Sequence, residues 1–352
     1  MQNHFLSLTS HFLLEIMCTA ITWNGYFGRN LDLWYSYGES VVITPRKYPF
    51  SFRLAGNLEH HYALIGMAHV ADGVPLYYEA TNEKGLSMAG LNFPGNACYD
   101  GPMGDGKAEV ASFELIPWVL GQFASAAQVR EAADSFRVVN LSFREDLPPT
   151  PLHWIIADKD DCLVLEWTAE SHTLTANPIG VLTNNPPIGY HLHRLQEFLH
   201  LSPADPVNRF VPHPEQMPGL PGFVPFTGES HPYCSGMGAV GLPGDWSSAS
   251  RFVRAAFLRC NAVPEETPEG NVAQFFHMLD AVAMPKGAVL TPEGKADYTI
   301  YSCCCDTARG VYYYKTYENN RITATHLHGA DLSGGALTVI PMDRTPDIRY
   351  LY

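Results

Sequence analysis

The sequence MCTAITWNGYFGRNLD, residues 17–32, predicts the β-hairpin around which the rest of the chain is organised. Its first half is apolar and β-branched, a composition typical of a buried strand. Asn24-Gly25 follows, and this dipeptide is a strong signal for a two-residue hairpin turn. The return strand carries Arg29 and Asp32. A hairpin of this length brings both charges back beside Cys18, near the start of the first strand.

Cys18 directly follows Met17, so removal of the preceding residues would make it the first residue of the mature chain. The thiol and a free α-amine would then belong to one residue. Because an α-amine has a pKa of about 8, it can take the thiol proton near neutral pH. This is the arrangement of an N-terminal nucleophile. A Cys near a chain start more often fills a buried apolar position, but Arg29 favours the thiolate and Asp32 can hold the amine, which supports the catalytic interpretation.

The hairpin and further blocks along the chain resemble the choloylglycine hydrolase family, which contains the bile salt hydrolases and the penicillin V acylases. The resemblance covers residues 17–352 and is specific, because the blocks follow one another in the order of the family. They are MCT at 17–19, YFGRNLD at 26–32, SYGE at 36–39, NEKGL at 82–86, AGLNFPG at 89–95, LTNNP at 182–186, GLPGD at 241–245, SSASRF at 247–252 and YYYKTYENN at 312–320.

The resemblance implies an α+β fold with two stacked antiparallel sheets between helical layers, the αββα sandwich of the Ntn hydrolases. It implies hydrolysis of the amide bond between a bile acid and glycine or taurine through a thioester on Cys18, with no organic cofactor and no metal ion. An oxyanion hole is expected at the Asn92 backbone N–H and the Asn184 carboxamide, with Asn185 the neighbour that could be mistaken for Asn184. The implied catalytic residues are Cys18, Arg29, Asp32, Asn92, Asn184 and Arg251, and the implied substrate-binding residue is Leu31.

The order of elements along the chain also favours an α+β fold. Many strands joined by hairpin turns, without βαβ alternation, indicate antiparallel sheets. Arg251 lies in the first turn of a predicted helix, a poor place for a cation, so a solvated surface position is the plain interpretation and only the resemblance makes it catalytic or substrate-orienting. The proline-rich residues 137–152 are predicted as a connection that can shape a substrate pocket. Helices are predicted over 112–123, 125–136, 190–199, 247–260 and 271–282.

Three alternatives to a bile salt hydrolase stay open on the sequence. The first is a penicillin V acylase, in which Tyr tends to replace Asn92. The second is a binding protein without chemistry, which would result if residues 1–16 stayed attached and blocked the α-amine. The third is a metal or redox protein built on Cys303-Cys304-Cys305. Since these cysteines alternate faces on a strand, and no C-x-x-C or H-x-x-x-H spacing lies nearby, buried reduced thiols explain them better.

Composition and charge narrow the choice of partners. The net charge of −14 argues against nucleic acid, because phosphate binding needs a basic surface. The sequence has no apolar run of membrane-spanning length. Eight cysteines in 352 residues do not make a disulfide scaffold and fit a reducing compartment, so a cytoplasmic protein of a bacterial or archaeal cell is expected. The resemblance adds a conjugated bile acid as the small-molecule substrate and a homo-oligomer, a tetramer, as the assembly.

Two segments stand apart from the single domain expected over residues 17–352. Residues 1–16, MQNHFLSLTSHFLLEI, lack the basic start and the cleavage site of a secretory signal. They are either the product of a wrongly chosen start codon, which we favour, or a pro-segment removed by self-cleavage. The second segment is a Pro- and Gly-rich insertion around 211–232, beside the expected substrate mouth. The block YCSGMG at 233–238 lacks the arginine of the YSRGMG often seen in bile salt hydrolases, so no preference for glycine or taurine is transferred.

Overall fold

The computed structural model describes residues 17–206 and 235–352. The extra segment 1–16 and the insertion at 211–232 therefore lie outside the described residues. The strands are β1 (Met17–Trp23), β2 (Tyr26–Leu33), β3 (Ser40–Thr44), β4 (Phe50–Phe52), β5 (Gly56–Leu58), β6 (Leu64–Ala71), β7 (Val74–Asn82), β8 (Ser87–Asn92), β9 (Ala108–Ala111), β10 (Phe136–Val139), β11 (Leu152–Ala157), β12 (Cys162–Trp167), β13 (His172–Ala176), β14 (Val181–Leu182), β15 (Val289–Leu290), β16 (Ala296–Asp306), β17 (Val311–Thr316), β18 (Thr323–His326) and β19 (Thr338–Pro341). The α-helices are α1 (Leu115–Gln122), α2 (Ala126–Glu131), α3 (Ile188–Arg194), α4 (Ser248–Asn261) and α5 (Pro268–Asp280).

Two antiparallel sheets carry the fold. Sheet A has seven strands in the order β14-β1-β2-β16-β17-β18, with β15 paired to β16. Sheet B has eight strands in the order β13-β12-β11-β8-β7-β6-β3-β19. Neighbouring strands in both sheets are antiparallel, as the lack of βαβ alternation in the sequence predicts.

Helices cover the outer face of each sheet. α1 contacts β6, β7 and β8 of sheet B, while α4 and α5 contact β1, β2, β14 and β16 of sheet A. The inner faces of the sheets meet where β1 contacts β8. This order of layers confirms the predicted αββα sandwich. Within the described parts of the chain, no helix combines the length and apolar character that crossing a bilayer requires.

The predicted hairpin at residues 17–32 is present, with the expected turn and register. The two residues at 24–25 have φ angles of 51° and 77°, and positive φ at both central positions is typical of the type I′ turn. Cys18 pairs with Leu31, and Ala20 pairs with Arg29. Because directly paired residues project from the same face, these side chains lie together on one side of sheet A.

Two apolar clusters lie on opposite faces of sheet B. We call the cluster between the sheets, which extends to α4 and α5, the inter-sheet core; it includes Phe27, Ile155 and Phe275. The outer core lies between sheet B and α1 and includes Trp154 and Leu120. Trp154 and Ile155 are neighbours in β11 yet belong to different cores, because successive strand residues point to opposite faces. Sheet B is therefore buried on both faces.

The predicted helix over 125–136 is wrong at its C-terminal end. α2 ends at Glu131, and β10 follows and pairs in parallel with β9. Residues 137–152 therefore begin as a strand rather than as a connection. Phe136 and Val138 are buried in the outer core, so pairing with a distant strand outweighs the local helix signal. The predicted start of the helix is confirmed, since the Ser125 side chain accepts a hydrogen bond from Gln128 N.

Candidate active site

Cys18 and Arg29 meet on the face of the hairpin that points toward sheet B. Arg29 pairs with Ala20, two residues from Cys18, so its side chain reaches along the sheet to the thiol. Arg29 Nη2 donates a hydrogen bond to Cys18 Sγ. Both residues are fully buried. The structure thus brings the predicted nucleophile into contact with the cation predicted to favour its thiolate.

The guanidinium of Arg29 bridges the two sheets. Its Nη1 donates to the carbonyl oxygens of Gly90, at 2.7 Å, and Tyr78, at 3.1 Å, both in sheet B. Its Nε lies 3.8 Å from the carboxylate of Glu79. Burial works against the charge, but the Cys18 thiol and nearby acidic groups favour it, and the pKa of Arg29 is raised overall. Arg29 is therefore a fixed positive charge beneath the thiol.

The surroundings of the Cys18 thiol act on its acidity in opposite directions. Burial raises the pKa of the thiol and determines the net direction. Arg29 lowers this pKa, the nearby Asp32 carboxylate raises it, and Arg251 lowers it. The backbone N–H of Asn92 forms a hydrogen bond that also lowers it, which places this N–H against the sulfur. With its backbone nitrogen in a peptide bond, Cys18 is therefore a thiol at neutral pH.

Asn184 connects the backbone of Cys18 to that of Asn92. Its Oδ1 accepts a hydrogen bond from Cys18 N at 2.8 Å, and its Nδ2 donates to the Asn92 carbonyl at 2.8 Å. The neighbouring Asn185 instead donates from Nδ2 to the carbonyl of Pro94 at 2.6 Å. Of the two candidates from the sequence, the structure therefore brings Asn184 to the nucleophile.

Arg251 extends from the first turn of α4 into the site. Its Nη1 donates to Cys18 O at 2.5 Å and to Thr19 Oγ1 at 2.7 Å. Its Nη2 donates to Asn184 Oδ1 at 2.8 Å, and its Nε donates to Trp246 O at 2.9 Å. Arg251 is fully buried, so the plain interpretation as a solvated surface residue is wrong. These bonds fix Cys18 and Asn184 relative to each other.

Asp32 lies on the opposite face of the hairpin from the thiol, because it pairs with Met17 rather than with Cys18. Its Oδ1 accepts a hydrogen bond from Thr299 Oγ1 at 2.6 Å. Its buried Oδ2 has no hydrogen-bond partner in the described parts of the chain. Burial raises the pKa of Asp32 to about 6, against the opposing effect of Arg251. Since the Cys18 N–H donates to Asn184, the carboxylate retains an oxygen that can receive another donor.

Leu31 is the residue expected to contact the substrate. It pairs with Cys18 across the hairpin and belongs to the inter-sheet core, where it is 1% exposed. The structure thus places Leu31 beside the nucleophile and among apolar side chains. Its contact with a substrate stays a prediction.

Several polar residues near the site were not singled out from the sequence. Glu79 approaches Arg29, while Thr19 and Thr299 bond Arg251 and Asp32. Three further buried side chains hold the segment around Asn184. Their contacts are His153 Nε2 to Thr183 O at 2.9 Å, Glu166 Oε1 to Ile188 N at 2.8 Å and His191 Nε2 to Asn184 O at 3.1 Å. A single polar residue within an otherwise apolar strand, as in LHWIIA and CLVLEW, is the signal that could have identified His153 and Glu166.

Cys303, Cys304 and Cys305 lie in β16 and are all buried as free thiols. Burial raises the pKa of each of them, so they are unreactive at neutral pH. Among residues 17–206 and 235–352, no group of three or more His, Cys, Asp or Glu side chains is arranged to hold a metal ion.

The chain matches a family model at residues 18–340. The model describes linear amide C–N hydrolases of the choloylglycine hydrolase family. A bile salt hydrolase/transferase of Lactiplantibacillus plantarum is 47% identical over 329 residues, which cover 93% of this chain and 97% of the relative. A conjugated bile acid hydrolase of Lactobacillus gasseri is 38% identical over 86% of this chain and 93% of its own length.

Solved structures show the same fold. A variant of conjugated bile acid hydrolase from Clostridium perfringens superposes with a TM-score of 0.84 and 33% identity, over 95% of this chain and 100% of its own. Penicillin V acylase from Agrobacterium tumefaciens has a TM-score of 0.69 and 18% identity, over 92% of this chain and 90% of its own. At this identity the second likeness concerns the fold alone.

Proposed function

Because the chain belongs to the choloylglycine hydrolase family of linear amide C–N hydrolases, we propose that it cleaves bile acids conjugated to glycine or taurine. The observation that carries the proposal is the contact of the Cys18 thiol with Arg29, while Asn184 holds the Cys18 nitrogen. This nitrogen would become the α-amine of an N-terminal Cys. The relative that is 47% identical is a bile salt hydrolase/transferase, which supports the choice of substrate.

The first half of the proposed reaction forms a thioester. It requires that residues 1–17 are absent, so that Cys18 carries a free α-amine. The amine takes the thiol proton, and the thiolate attacks the carbonyl carbon of the conjugate. The oxyanion forms beside the Asn92 N–H and the Asn184 carboxamide. As the C–N bond breaks, the protonated amine passes its proton to the nitrogen of the departing glycine or taurine.

The second half of the reaction releases the bile acid. Water attacks the thioester carbonyl, and the Cys18 α-amine accepts a proton from this water. The tetrahedral intermediate then collapses, the C–S bond breaks and the thiol is restored. Another amine in place of water would receive the bile acid as an amide, so the same acyl-enzyme permits transfer as a side reaction.

The charged groups around Cys18 have separate roles in this proposal. Arg29 stabilises the thiolate from below, and Arg251 orients the Cys18 carbonyl and Asn184. An α-ammonium can donate three hydrogen bonds, whereas the peptide N–H of Cys18 donates one, to Asn184. The available Oδ2 of Asp32 is therefore our candidate acceptor for the ammonium. In this role Asp32 favours transfer of the thiol proton to the amine.

The assembly and location of the protein are also part of the proposal. The homotetramer rests on the family resemblance. The cytoplasm of a bacterial or archaeal cell is supported by seven free cysteines among the described residues, three of them adjacent and buried. We further propose Leu31 as a residue that contacts the bound bile acid near Cys18.

The experiment compares glycocholate, taurocholate and penicillin V with protein begun at Met17, measuring released glycine, taurine or penicillin side-chain acid. We expect release from the conjugated bile acids. The full chain that retains residues 1–16 is the matched control, and it should be inactive because its Cys18 nitrogen is an amide. Release from penicillin V alone would assign the protein to the acylase alternative. No release from any substrate, with Cys18 confirmed as the first residue, would overturn the substrate assignment.

A further inference from the structure

Glu79 is a buried carboxylate beside Arg29, the cation that contacts the nucleophile. It lies in β7 of sheet B and is 1% exposed. Its Oε2 lies 3.8 Å from Arg29 Nε. It also accepts hydrogen bonds from the hydroxyl groups of Tyr301, at 2.8 Å, and Tyr312, at 2.7 Å. Glu79 therefore reaches across the sandwich to three side chains of sheet A.

We propose that Glu79 acts on the nucleophile through Arg29: it compensates the charge of Arg29 and so limits the ionisation of the Cys18 thiol. The inference rests on the proposed role of Cys18. A thiolate kept permanently ionised by an uncompensated cation is a weaker nucleophile than one formed on demand. It is also more easily oxidised. With Glu79 in place, the thiolate forms mainly when the α-amine of Cys18 takes the thiol proton.

The placement of Arg29 does not depend on Glu79. Its Nη1 is held by the carbonyls of Gly90 and Tyr78, and its Nε donates to the carbonyl of Asn30 at 3.4 Å. These three acceptors belong to the backbone of central strands. A neutral replacement of Glu79 therefore leaves the guanidinium against the thiol and changes mainly the electrostatic potential there.

The contacts of Glu79 favour its ionised form. Burial is the larger effect and raises the pKa of Glu79 overall, while the charge of Arg29 and hydrogen bonds from Tyr312 and Tyr301 act in the opposite direction. Removing one hydroxyl donor should shift Glu79 toward its neutral form. Tyr312→Phe is thus a milder way to reduce the same negative charge without touching Glu79 itself.

The other charged groups near the two ends of this arrangement stay unchanged in such variants. Tyr312→Phe removes only a hydroxyl whose pKa burial raises well above its usual value. Cys18 is faced by Arg29 and Asp32 of β2 and by Arg251 of α4, and Glu79 is faced by Arg29 of β2, by Tyr301 and Cys303 of β16 and by Tyr312 of β17. A shift in the titration of Cys18 in these variants therefore reports on Glu79.

The test is the titration of the Cys18 thiol in the full chain, without substrate. The ultraviolet absorbance of thiolate is followed against pH, and the curve of a matched Cys18→Ala protein is subtracted to remove all other groups. We expect Glu79→Gln to lower the midpoint by about one pH unit, the lower end of the shift that a nearby unit charge causes. Below both midpoints the thiolate fraction then rises about tenfold.

Tyr77→Phe is the matched control. Its hydroxyl is buried in the outer core and bonded to Thr44 Oγ1, on the face of sheet B away from the inter-sheet core, so the midpoint should not move. Tyr312→Phe should shift the midpoint in the direction of Glu79→Gln by a smaller amount. If Glu79→Gln loses its cooperative thermal transition, the thiol midpoint of Tyr312→Phe tests the proposal in its place.

An unchanged midpoint in a folded Glu79→Gln or Tyr312→Phe protein would overturn the proposal. A midpoint moved to higher pH would also overturn it, because that result means that Glu79 only holds Arg29 in place. Because no substrate is used, the outcome is independent of whether the protein hydrolyses bile acid conjugates.

Discussion

The inter-sheet core and the outer core are buried to a similar extent, yet their chemistry differs. Around Cys18 the inter-sheet core borders the buried charges of Arg29 and Glu79. The outer core packs sheet B against α1, whose sequence LIPWVLGQ carries no charged residue. The same sheet therefore has one face that packs mainly apolar side chains and one face that approaches the buried charges of Arg29 and Glu79.

The difference between the two cores shows which region of the fold is less favourable for stability. Removing an ion from water is expensive, and a buried ion pair often contributes little net stability compared with apolar packing. The outer core is stabilised mainly by apolar packing instead. The buried charges near Cys18 are explained if they act on the nucleophile. Substitutions beside Cys18 should therefore change catalysis, whereas substitutions in the outer core should change the free energy of unfolding.

The largest expected effect comes from Cys18→Ala in protein begun at Met17. Release of glycine from glycocholate should fall to background, because the variant lacks the sulfur that forms the thioester. The free energy of unfolding should change little, since Ala fits the small buried site. Cys260→Ala, which changes an exposed thiol, is the control and should keep full activity. Turnover by the Cys18→Ala protein would remove Cys18 from the mechanism.

The second effect concerns Asn184, which bonds both Cys18 N and the Asn92 carbonyl. Asn184→Ala should lower kcat by about 10²- to 10³-fold, the usual cost of losing one oxyanion donor. Steady-state kinetics with glycocholate measures it. Asn185→Ala is the matched control, because its side chain bonds Pro94 instead. A larger loss in the Asn185 variant would transfer the role to that neighbour.

The third effect belongs to the outer core. Leu120→Ala should lower the free energy of unfolding by about 2–5 kcal/mol, because Leu120 is fully buried and its truncation leaves a cavity. Denaturant titration measures this loss, and kcat of the folded protein should not change. Leu199→Ala, at an exposed leucine, should stay within about 0.5 kcal/mol. A large fall in kcat for Leu120→Ala would contradict the separation of the two cores.

The last effect, which is spread over several pH units, is a pH dependence due to Asp32 in the full chain. Burial raises the pKa of Asp32 from 3.8 to about 6, so folding favours its protonated form. Its contribution to stability is therefore greatest below about pH 4 and is lost as the pH rises through about 6, on the order of 3 kcal/mol in total. Asp32→Asn should lack this loss. Denaturant titrations of both proteins between about pH 4 and pH 7 measure it.

A constant stability difference between the full chain and its Asp32→Asn variant over that range would contradict the raised pKa. In protein begun at Met17, an α-ammonium on Cys18 should stabilise the Asp32 carboxylate and reduce the pH dependence. The comparison of the two starts thus tests whether Asp32 faces the terminal amine.

The sequence predicted the parts of the fold that rest on local signals. The turn at 24–25, the strand of Cys18 and the return strand with Arg29 follow from residue types and spacing, and all three are confirmed. The prediction of a helix over 125–136 was wrong at its C-terminal end because β10 pairs with β9. A local sequence pattern does not reveal such a contact between distant strands. The αββα layers followed from the resemblance, which reflects the whole chain.

The site was predictable in its members but not in its contacts. The motifs indicated Cys18, Asn184 and Arg251, whereas the bonds that join them span 166 and 233 positions along the chain. Glu79 was missed because a lone carboxylate in a strand is commonly a solvent-facing residue. Only the stacking of the two sheets brings it against Arg29.

The most direct test of the central claim is to trap the thioester on Cys18. Protein begun at Met17 is mixed with glycocholate, quenched in acid during turnover and digested, and the masses of its peptides are measured. The account predicts a cholyl group on the peptide that begins with Cys18, lost on treatment with hydroxylamine. A cholyl group on any other residue, or turnover by protein in which Cys18 is still preceded by another residue, would contradict it.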